Sequence, residues 1–333
     1  MSHIAIVGAG MAGTTAARLL VEAGQRVTLF DKGTRPGGRM STRELDDVSF
    51  DHGAQYITAR TPSFTQALAS WRQAGVIALW EARSMDWDGD LHPSDQEKTR
   101  WVGTPAMATI LNHLQIGLDV EYGRAVDRIM RTDAGWSVRL DDGETRAGFS
   151  CLLISIPVEQ TRRLLSDAGL SQTIDLGELH SQPCWTLLLS YEHSLALDFD
   201  AVRLTGHACL GWLANNSSKL MRPSKGPECW VIQATEAWSR AHLEQTREQA
   251  AEQLQSTFEH FVSGFDHPLP EPLSSKAHRW RYAHIDRPAG QDRLTDTDLK
   301  LVVCGDWLRG RRVEDAYLSG ASAADAALEM LGP

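Results

Sequence analysis

The sequence has no long apolar run and no targeting segment at its start. No stretch of the 333 residues reaches the roughly 18 consecutive apolar residues of a membrane span. The chain enters a strand-like run, Ile4 to Val7, without the basic region and apolar core of a secretion signal. We therefore expect a cytoplasmic protein that makes no contact with a membrane.

Cysteine is scarce, and its spacing carries no motif. There are five cysteines, an odd number, and no pair has C-x-x-C spacing. This pattern argues against a disulfide framework and against a zinc site. His278 and His284 stand six residues apart without an acidic residue at ligand spacing, so no bound metal is predicted.

Basic residues are also fewer than acidic ones. Asp and Glu number 43 against 33 Lys and Arg, which gives a formal net charge of −10. Because nucleic-acid binding needs a basic face, nucleic acid is not expected as a partner. The short group Arg309, Arg311 and Arg312 is interpreted as a solvated loop. The length favours two packed domains, and the ordinary apolar content argues against disorder.

A strand–helix–strand unit opens the chain. Residues 3–8, HIAIVG, have the pattern of a buried strand, and residues 14–23 have the composition of a helix that ends at Gly24. Residues 26–31, RVTLFD, form a second strand. Such a unit predicts a parallel sheet with a right-handed crossover, as in a doubly wound domain.

The turn before the first helix has glycine where phosphate binding requires it. Gly8, Gly10 and Gly13 form G-x-G-x-x-G. The first glycine permits the tight turn, the second lets the backbone approach a pyrophosphate, and the third lets helix and strand pack. Asp31 follows Gly13 by 18 residues and is placed to accept the ribose hydroxyls. The pattern predicts a bound dinucleotide.

A second glycine motif distinguishes a flavin from a nicotinamide dinucleotide. Gly37, Gly38 and Arg39 follow the second strand closely. An extended flavin dinucleotide needs another close backbone approach and a cation for its phosphates, whereas a simple nicotinamide dehydrogenase needs neither. FAD is therefore the predicted cofactor.

Later elements return to the first domain after a more polar insertion. Buried strands at 150–157 and 301–306 resume the first pattern, and a small-residue helix at 313–331 is suited to close packing. We predict an α/β fold with a doubly wound Rossmann-like FAD-binding domain and an inserted α+β substrate domain. The expected ranges are 1–60, 101–157 and 276–333 for the first domain, and 61–100 and 158–275 for the second.

One acidic segment imitates a calcium loop. Asp86, Asp88, Asp90 and Glu97 have the spacing of calcium ligands, but Leu91 stands where the loop needs glycine. A hairpin turn is the preferred interpretation.

Three segments carry a family resemblance. GAGMAG (8–13), DKGTRPGGRMSTR (31–43) and CGDWLRGRRVEDAYLSGASAADAAL (304–328) resemble the flavin-containing amine oxidase superfamily. Within it, FDHGAQYIT (50–58) and SSKAHRWRYA (274–283) are similar to the renalase family.

The resemblance implies a set of FAD contacts. Val126 takes the place beside the adenine, Gly305 and Asp306 the place beside the ribityl and phosphate groups, and no cysteine of the tail has the context for covalent attachment. FAD is therefore expected to be noncovalent. The implied contact residues are Gly8, Gly10, Met11, Ala12, Gly13, Asp31, Lys32, Gly38, Arg39, Met40, Gln55, Tyr56, Ile57, Val126, Gly305 and Asp306.

Aromatic residues supply candidates for the walls of a flat substrate pocket. Each of them is more simply a core residue, since Trp is usually buried for structural reasons. The candidates are Tyr56, Trp185, Trp212, Trp230, Trp280 and Tyr282, with Trp238 beside them.

A flavin without a thiol pair or metal predicts hydride transfer with O2 as the final acceptor. The renalase resemblance implies oxidation of the 2- and 6-dihydro isomers of NAD(P)H to NAD(P)+ with release of H2O2. This reaction needs no general base, and the sequence shows no evident His–carboxylate pair. The partners are then a small-molecule substrate and O2, with the oligomeric state, the preferred isomer and NAD versus NADP left open.

Two alternatives remain open. The Trp-rich half favours a flavin amine oxidase that acts on a small amine or polyamine. A non-catalytic flavin-binding interaction protein is the third interpretation.

Overall fold

The computed structural model describes residues 1–94, 99–223, 226–265 and 269–332. The strands in this part of the chain are β1 (His3–Val7), β2 (Arg26–Asp31), β3 (Thr42–Leu45), β4 (Val48–Asp51), β5 (Ile77–Leu79), β6 (Ser84–Trp87), β7 (Leu91–Pro93), β8 (Trp101–Gly103), β9 (Asp119–Tyr122), β10 (Val126–Thr132), β11 (Gly135–Leu140), β12 (Thr145–Phe149), β13 (Cys151–Ile154), β14 (Ser181–Tyr191), β15 (Ala201–Leu204), β16 (Leu210–Asn215), β17 (Glu228–Ala234), β18 (Ser274–Ile285), β19 (Leu294–Asp296) and β20 (Leu301–Val303). The helices are α1 (Met11–Glu22), α2 (Pro62–Gln73), α3 (Ala108–Leu114), α4 (Val158–Asp167), α5 (Glu236–Ala241), α6 (Arg247–Ser263), α7 (Asp306–Arg309) and α8 (Val313–Leu331).

A mostly parallel sheet forms the dinucleotide-binding part. Its order is β19-β20-β13-β1-β2-β9, and only β19 runs antiparallel to its neighbour. Ile4 and Ile6 of β1 pack with the helices α1 and α8, whereas Ala5 and Val7 pack with the antiparallel strands β10 and β11. Burial on both faces explains why these strands are apolar throughout. The predicted doubly wound Rossmann-like fold is confirmed.

Helix α8 packs against α1 through its small residues. A methyl group at Gly320 would clash with the carbonyl oxygen of Ala12. Only glycine permits this contact, and the close helix packing predicted for the segment is present.

A seven-stranded sheet forms the second part. Its order is β18-β14-β17-β16-β15-β6-β7. Because side chains alternate along a strand, Trp185 and Leu187 of β14 pack with α6, while Cys184 and Thr186 lie on the opposite face. That opposite face turns toward the parallel sheet, and β18 contributes His278 to it opposite Thr186.

Two expected domain boundaries do not follow the packing. Helix α2 lies in the range expected for the substrate domain, yet Phe64, Leu68 and Trp71 pack in the same hydrophobic cluster as α1 and α8. Strand β18 pairs with β14, although residues 276–285 are expected in the FAD-binding domain. Both segments carry apolar residues that could pack against either layer. The sequence pattern alone therefore does not assign them to one of the two domains.

The acidic segment is a hairpin, as predicted. β6 and β7 pair antiparallel, with Asp86, Asp88 and Asp90 in or beside the turn; Glu97 lies outside the described residues. Among the helices that the structure describes, none combines the length and apolar character needed to cross a membrane.

Candidate functional site

A large cleft lies where the two sheets face each other. Its volume is about 1910 Å³. Residues just past the carboxyl ends of four parallel strands line it: Gly8 after β1, Lys32 after β2, Ser155 after β13 and Gly305 after β20. This edge of a doubly wound sheet is where such folds bind their ligands.

The N-terminus of α1 opens into the cleft. The N-cap is Gly10, no side chain caps the helix, and its first turn has no acidic residue. A methyl group at Gly10 would meet no atom within 4 Å, whereas one at Gly13 would clash with the carbonyl oxygen of Gly8. The uncapped amides and the open space suit a pyrophosphate, and Gly13 serves helix packing, as predicted from the motif.

Asp31 holds the first turn together. Its two carboxylate oxygens accept hydrogen bonds from the amides of Ala9 and Gly33, each at 2.7 Å. Asp31 and Lys32 both line the cleft. The carboxylate therefore stands at the position predicted for ribose binding and already fixes the backbone on either side of it.

The second glycine motif comes close to the first. Gly37 has φ +142°, and a methyl group there would lie 2.5 Å from Ser41 Cα, so no other residue fits without a shift. A methyl group at Gly38 would lie 3.6 Å from Gly10 Cα. The two glycine segments thus form one continuous wall for an extended ligand.

Arg39 joins this wall to the tail of the chain. Its guanidinium makes a bidentate ion pair with Asp306 at 2.8 and 2.5 Å, and it donates to the carbonyl oxygen of Ala283 at 3.0 Å. Met40, Val126, Gly305 and Asp306 line the same cleft. Arg39 is therefore a link between distant segments, in addition to being a cation beside the predicted phosphate position.

These residues fit FAD. The cleft offers an uncapped helix N-terminus, two glycine walls and the Gly305 segment in a row, as a long phosphorylated ligand requires. Pockets for single small ligands usually measure about 300–1,000 Å³. The larger volume leaves room for a substrate beside the cofactor.

Three residues predicted to contact the cofactor follow the cleft-lining segment 52–54. The neighbours His52, Gly53 and Ala54 line the cleft, but the side chains of the residues after them do not. The chain turns inward after Ala54, where an antiparallel bridge to Trp101 begins. Gln55 and Ile57 are buried, and Tyr56 packs on Trp80 and Trp212, so contact of these three residues with the cofactor stays a prediction.

The aromatic candidates divide between cleft and core. Trp212, Trp280 and Tyr282 line the cleft, and their contact with a substrate stays a prediction. Trp185 and Trp230 are core residues, the simpler of the two interpretations given to them, because their strand positions face α6, and they are 0% and 1% exposed. Trp238 likewise belongs to that core and stacks on His242. The period of two along β14 and β17 decides this division.

Two histidines that sequence reasoning missed stand at the cleft. The rings of His52 and His278 meet edge to face at 4.6 Å, and both contact the Trp280 ring, at 4.9 and 4.4 Å. Burial lowers the pKa of His52 to about 4 and that of His278 to about 3, with the cation of Arg43 adding to both shifts. The cleft therefore carries two neutral imidazoles at physiological pH.

A His–carboxylate pair also lies at the cleft, contrary to the sequence prediction. His284 Nε2 lies 2.6 Å from Glu236 Oε1, and Arg311 donates to that oxygen at 2.8 Å. The pair is separated by 48 residues, so no local signal could reveal it. With Asp286, the two could hold a metal, but Arg311 also contacts Asp286 at 2.7 Å and supplies the positive charge there.

A buried cluster of charged residues, Asp51, Lys219 and Arg222, holds the floor of the cleft in place. The side chains of Asp51 and Lys219 are 0% exposed and that of Arg222 is 2% exposed, and Asp51 Oδ2 pairs with the two cations at 3.2 and 2.5 Å. Burial lowers the pKa of Lys219 to about 8, against the effect of Asp51. Asp51 directly precedes the cleft-lining His52, so the cluster fixes the loop that forms the floor.

The charge of the cleft differs from that of the chain. Among the described lining residues, eight Lys and Arg stand against four Asp and Glu, whereas the whole chain has a net charge of −10. The basic residues are Lys32, Arg35, Arg39, Arg43, Arg279, Arg281, Arg311 and Arg312, and the acidic ones are Asp31, Glu44, Glu236 and Asp306. The cleft thus attracts anionic ligands.

Short segments of characterised enzymes match this chain closely. An L-amino-acid oxidase of Siganus canaliculatus is 56% identical over 41 residues, which is 12% of this chain and 8% of that protein. A 4,4'-diapophytoene desaturase of Staphylococcus haemolyticus is 48% identical over 54 residues, 16% of this chain and 11% of that protein. The matches thus span about a tenth of the length of these relatives.

Solved structures match over nearly the whole fold. A putative protoporphyrinogen oxidase from Exiguobacterium sp. 255-15 superposes with a TM-score of 0.75 at 14% identity, covering 97% of this chain and 98% of that one. Cyclohexylamine oxidase from Brevibacterium oxydans IH-35A gives 0.72 at 11% identity, with 99% of both chains covered. At these identities the likeness shows the shared fold.

Family profiles cover almost the entire chain. The NAD(P)-binding Rossmann-like domain matches residues 6–73, and the flavin containing amine oxidoreductase family matches residues 71–328. The second match extends over more than half of the chain and includes the cleft wall formed by Gly305 and Asp306. The chain therefore belongs to the flavin-containing amine oxidoreductase family, and the cleft at the edge of its Rossmann-like sheet has the lining that FAD requires.

Proposed function

We propose that this protein is an oxidase of the renalase type, which converts the 2- and 6-dihydro isomers of NAD(P)H to NAD(P)+. Bound FAD would supply the hydride acceptor, and O2 would take up the two electrons, the hydrogen of the hydride and one proton from water to become H2O2. The observation that carries the proposal is the basic cleft in an acidic chain, eight cations against four carboxylates. A dinucleotide substrate brings phosphates that need such a lining, whereas an amine does not.

The walls of the cleft suit a flat ring. Trp212, Trp280 and Tyr282 present aromatic surface there, and aromatic faces hold planar rings at an offset with little loss of side-chain freedom. The chain's own contribution to catalysis is then to orient the dihydropyridine ring and to exclude water around it.

Neutral histidines favour the product of this reaction. Loss of hydride turns the substrate ring into a cationic pyridinium. His52 and His278 line the cleft and stay uncharged because of burial. They place polarisable rings near the site without repelling the positive charge that develops.

The cofactor is proposed to be noncovalent and the location cytoplasmic. Cys184 lines the cleft, but burial raises the pKa of its thiol to about 12, so the nucleophilic thiolate is not available for attachment. All five cysteines are unpaired in the structure, which suits a reducing compartment.

A second candidate is an amine oxidase. The aromatic walls at Trp212, Trp280 and Tyr282 favour it, since a neutral amine is suited to an aromatic enclosure. The two interpretations differ in the charge of the substrate: the excess of basic over acidic residues in the lining disfavours a protonated amine and attracts an anionic dinucleotide.

Anaerobic reduction of the flavin distinguishes these candidates. Purified holoprotein is mixed with the isomers formed by borohydride reduction of NAD+, with ordinary NADH, and with a simple monoamine, while the visible flavin bands are followed. We expect fast bleaching by the isomer mixture and none by the amine. Bleaching by the amine alone would assign the protein to the amine oxidases, and bleaching by none of them would leave a flavin-binding protein without this activity.

Flavin retention tests the assignment of Arg39. Arg39→Ala removes the bidentate contact to Asp306 and a cation beside the phosphate position, and we expect FAD affinity to fall about 10- to 100-fold, since hydrogen bonds to charged groups contribute about 1.5–3 kcal/mol. The ratio of flavin to protein absorbance after gel filtration and the flavin released by acid precipitation measure this. Arg128→Ala, at an exposed position of β10, is the matched control. An Arg39→Ala protein that keeps full, tightly held FAD contradicts the assignment.

A further inference from the structure

Three side chains from three separate elements meet at the cleft. Glu236 is the first residue of α5, His284 lies near the end of β18, and Arg311 lies in the turn between α7 and α8. All three line the cleft. Their convergence therefore depends on the tertiary fold and places a polar group in the same cleft as the aromatic residues Trp280 and Tyr282.

The guanidinium of Arg311 is held in one orientation. Nε donates to the carbonyl oxygen of Ile285 at 2.7 Å, one terminal nitrogen donates to Asp286 at 2.7 Å, and the other donates to Glu236 Oε1 at 2.8 Å. Three of its five N–H groups are used in this way. Each terminal nitrogen retains one N–H for a ligand.

The carboxylate of Glu236 is likewise held by its neighbours. Both hydrogen bonds that the described residues make to it, from His284 and Arg311, involve Oε1. Oε2 keeps its capacity to accept. Arg311 is shared between Glu236 and Asp286, so the group has no excess positive charge and offers a ligand hydrogen bonds.

An acceptor beside a donor complements a primary amide. An amide presents N–H and C=O groups side by side, so it can use the acceptor and the donor together, whereas an ammonium ion has no acceptor for an N–H group of Arg311. The nicotinamide ring carries one such group, a carboxamide.

We propose that Glu236 and Arg311 bind the carboxamide of the dihydronicotinamide ring, with Glu236 accepting from its NH2 group and Arg311 donating to its carbonyl oxygen. This inference rests on the proposed function. His284 holds Glu236 in place through the 2.6 Å contact. Recognition of the carboxamide also sets the position of the ring along the cleft wall.

The acetylpyridine analogue of NAD+ isolates the contact. It carries an acetyl group, which keeps the C=O and lacks the N–H. Dihydro isomers of both compounds are given to the holoenzyme, and the product forms, NAD+ and the acetylpyridine analogue, are titrated by calorimetry. For the unmodified protein we expect kcat/KM and affinity to favour the carboxamide about tenfold or more, because the analogue leaves a partly buried acceptor unpaired.

Two variants and a control complete the experiment. Glu236→Ala should abolish the preference, so that both compounds react and bind equally well. Arg311→Lys should lower the affinity and kcat/KM for both compounds by the same factor and keep the preference, because both have the carbonyl group. Glu252→Ala changes an exposed acid on α6 and should change nothing.

The outcomes separate this inference from the proposed function. If the dihydro isomers are oxidised but Glu236→Ala retains the preference, or if the unmodified protein shows none, the carboxamide contact is refuted while the proposed function stands. If the unmodified holoenzyme neither oxidises the isomers nor binds NAD+, both fail.

Discussion

Asp51→Asn should lower the free energy of unfolding by about 3–5 kcal/mol, the usual effect of removing one partner from a buried ion pair. Asp51 is the carboxylate that faces the buried cations Lys219 and Arg222, at 3.2 and 2.5 Å. It also accepts from the amide of Met107 and the hydroxyl of Thr42, each at 2.9 Å. Burial acts to raise the pKa of Asp51, but the two cations lower it to about 2, which shows how strongly the ionised form is preferred.

Chemical denaturation of both proteins at neutral pH measures this effect. The matched control is Asp47→Asn in the turn of the same β3–β4 hairpin, where the residue is exposed and has φ +64°, a conformation that asparagine tolerates. Its effect should stay within about 0.5 kcal/mol. A double variant, Asp51→Asn with Lys219→Met, should recover part of the loss because one uncompensated charge is removed. An Asp51→Asn protein as stable as the control would contradict the role of the cluster.

The same variant should loosen the flavin. Asp51 is followed by His52, Gly53 and Ala54, which form part of the cleft floor. Gln233 also holds this loop in place, because its side chain donates to the carbonyl oxygen of Gly53 at 2.8 Å. Stability and cofactor retention are thus coupled through one short segment.

The dinucleotide-binding half was predictable because its signals are local. Gly8, Gly10 and Gly13 lie within one turn, and the apolar strands around them have a pattern that only a doubly covered sheet requires. The close packing of α8 on α1 follows from small residues at helical spacing, as at Gly320. In these segments a few neighbouring residues determine both the conformation and the packing.

The substrate half was less predictable because the role of each strand residue depends on the layer against which its side of the sheet packs. Trp185 and Trp212 both lie on strands of one sheet, yet the first packs on α6 and the second lines the cleft. A strand's alternation shows that two faces exist, but not which face meets a helix and which meets a cofactor. Tyr56 illustrates the same difficulty on a loop, since it packs behind Trp212.

Charged groups from distant segments could not be paired from the sequence at all. Glu236 and Arg311 are 75 residues apart, and Asp51 and Lys219 are 168 residues apart. Neither pair has a spacing that a helix or hairpin would produce. The functional polarity of the cleft is therefore a property of the tertiary fold.

Acid should destabilise the protein well above the pH at which its carboxylates are protonated. Burial lowers the pKa of His52 from 6.5 to about 4 and that of His278 to about 3. In the unfolded chain both bind a proton near pH 6.5, while in the folded protein both stay neutral down to about pH 4. The unfolded state thus binds more protons in this window, so the stability is complete above pH 6.5 and is lost as the pH falls.

The surroundings of the two rings determine the size of this effect. Arg43 lowers both pKa values, His52 and Arg247 lower that of His278, and Asp51 opposes the shift at His52. Each imidazole contributes about 1.4 kcal/mol per pH unit, so the pair should reduce the free energy of unfolding by about 4–5 kcal/mol between pH 6.5 and 4.5.

Urea denaturation across pH 4.5 to 7.5 tests this expectation. The double variant His52→Gln with His278→Gln should show a clearly shallower dependence, because glutamine has no proton to gain. His193→Gln, at an exposed position, should keep the original slope. If the double variant loses stability as steeply as the unmodified protein, the acid sensitivity originates in other groups, and the two rings are not held neutral by the fold. If its slope flattens, the neutral state of the cleft histidines, on which the accommodation of a pyridinium product depends, is maintained by burial at a measurable cost in acid stability.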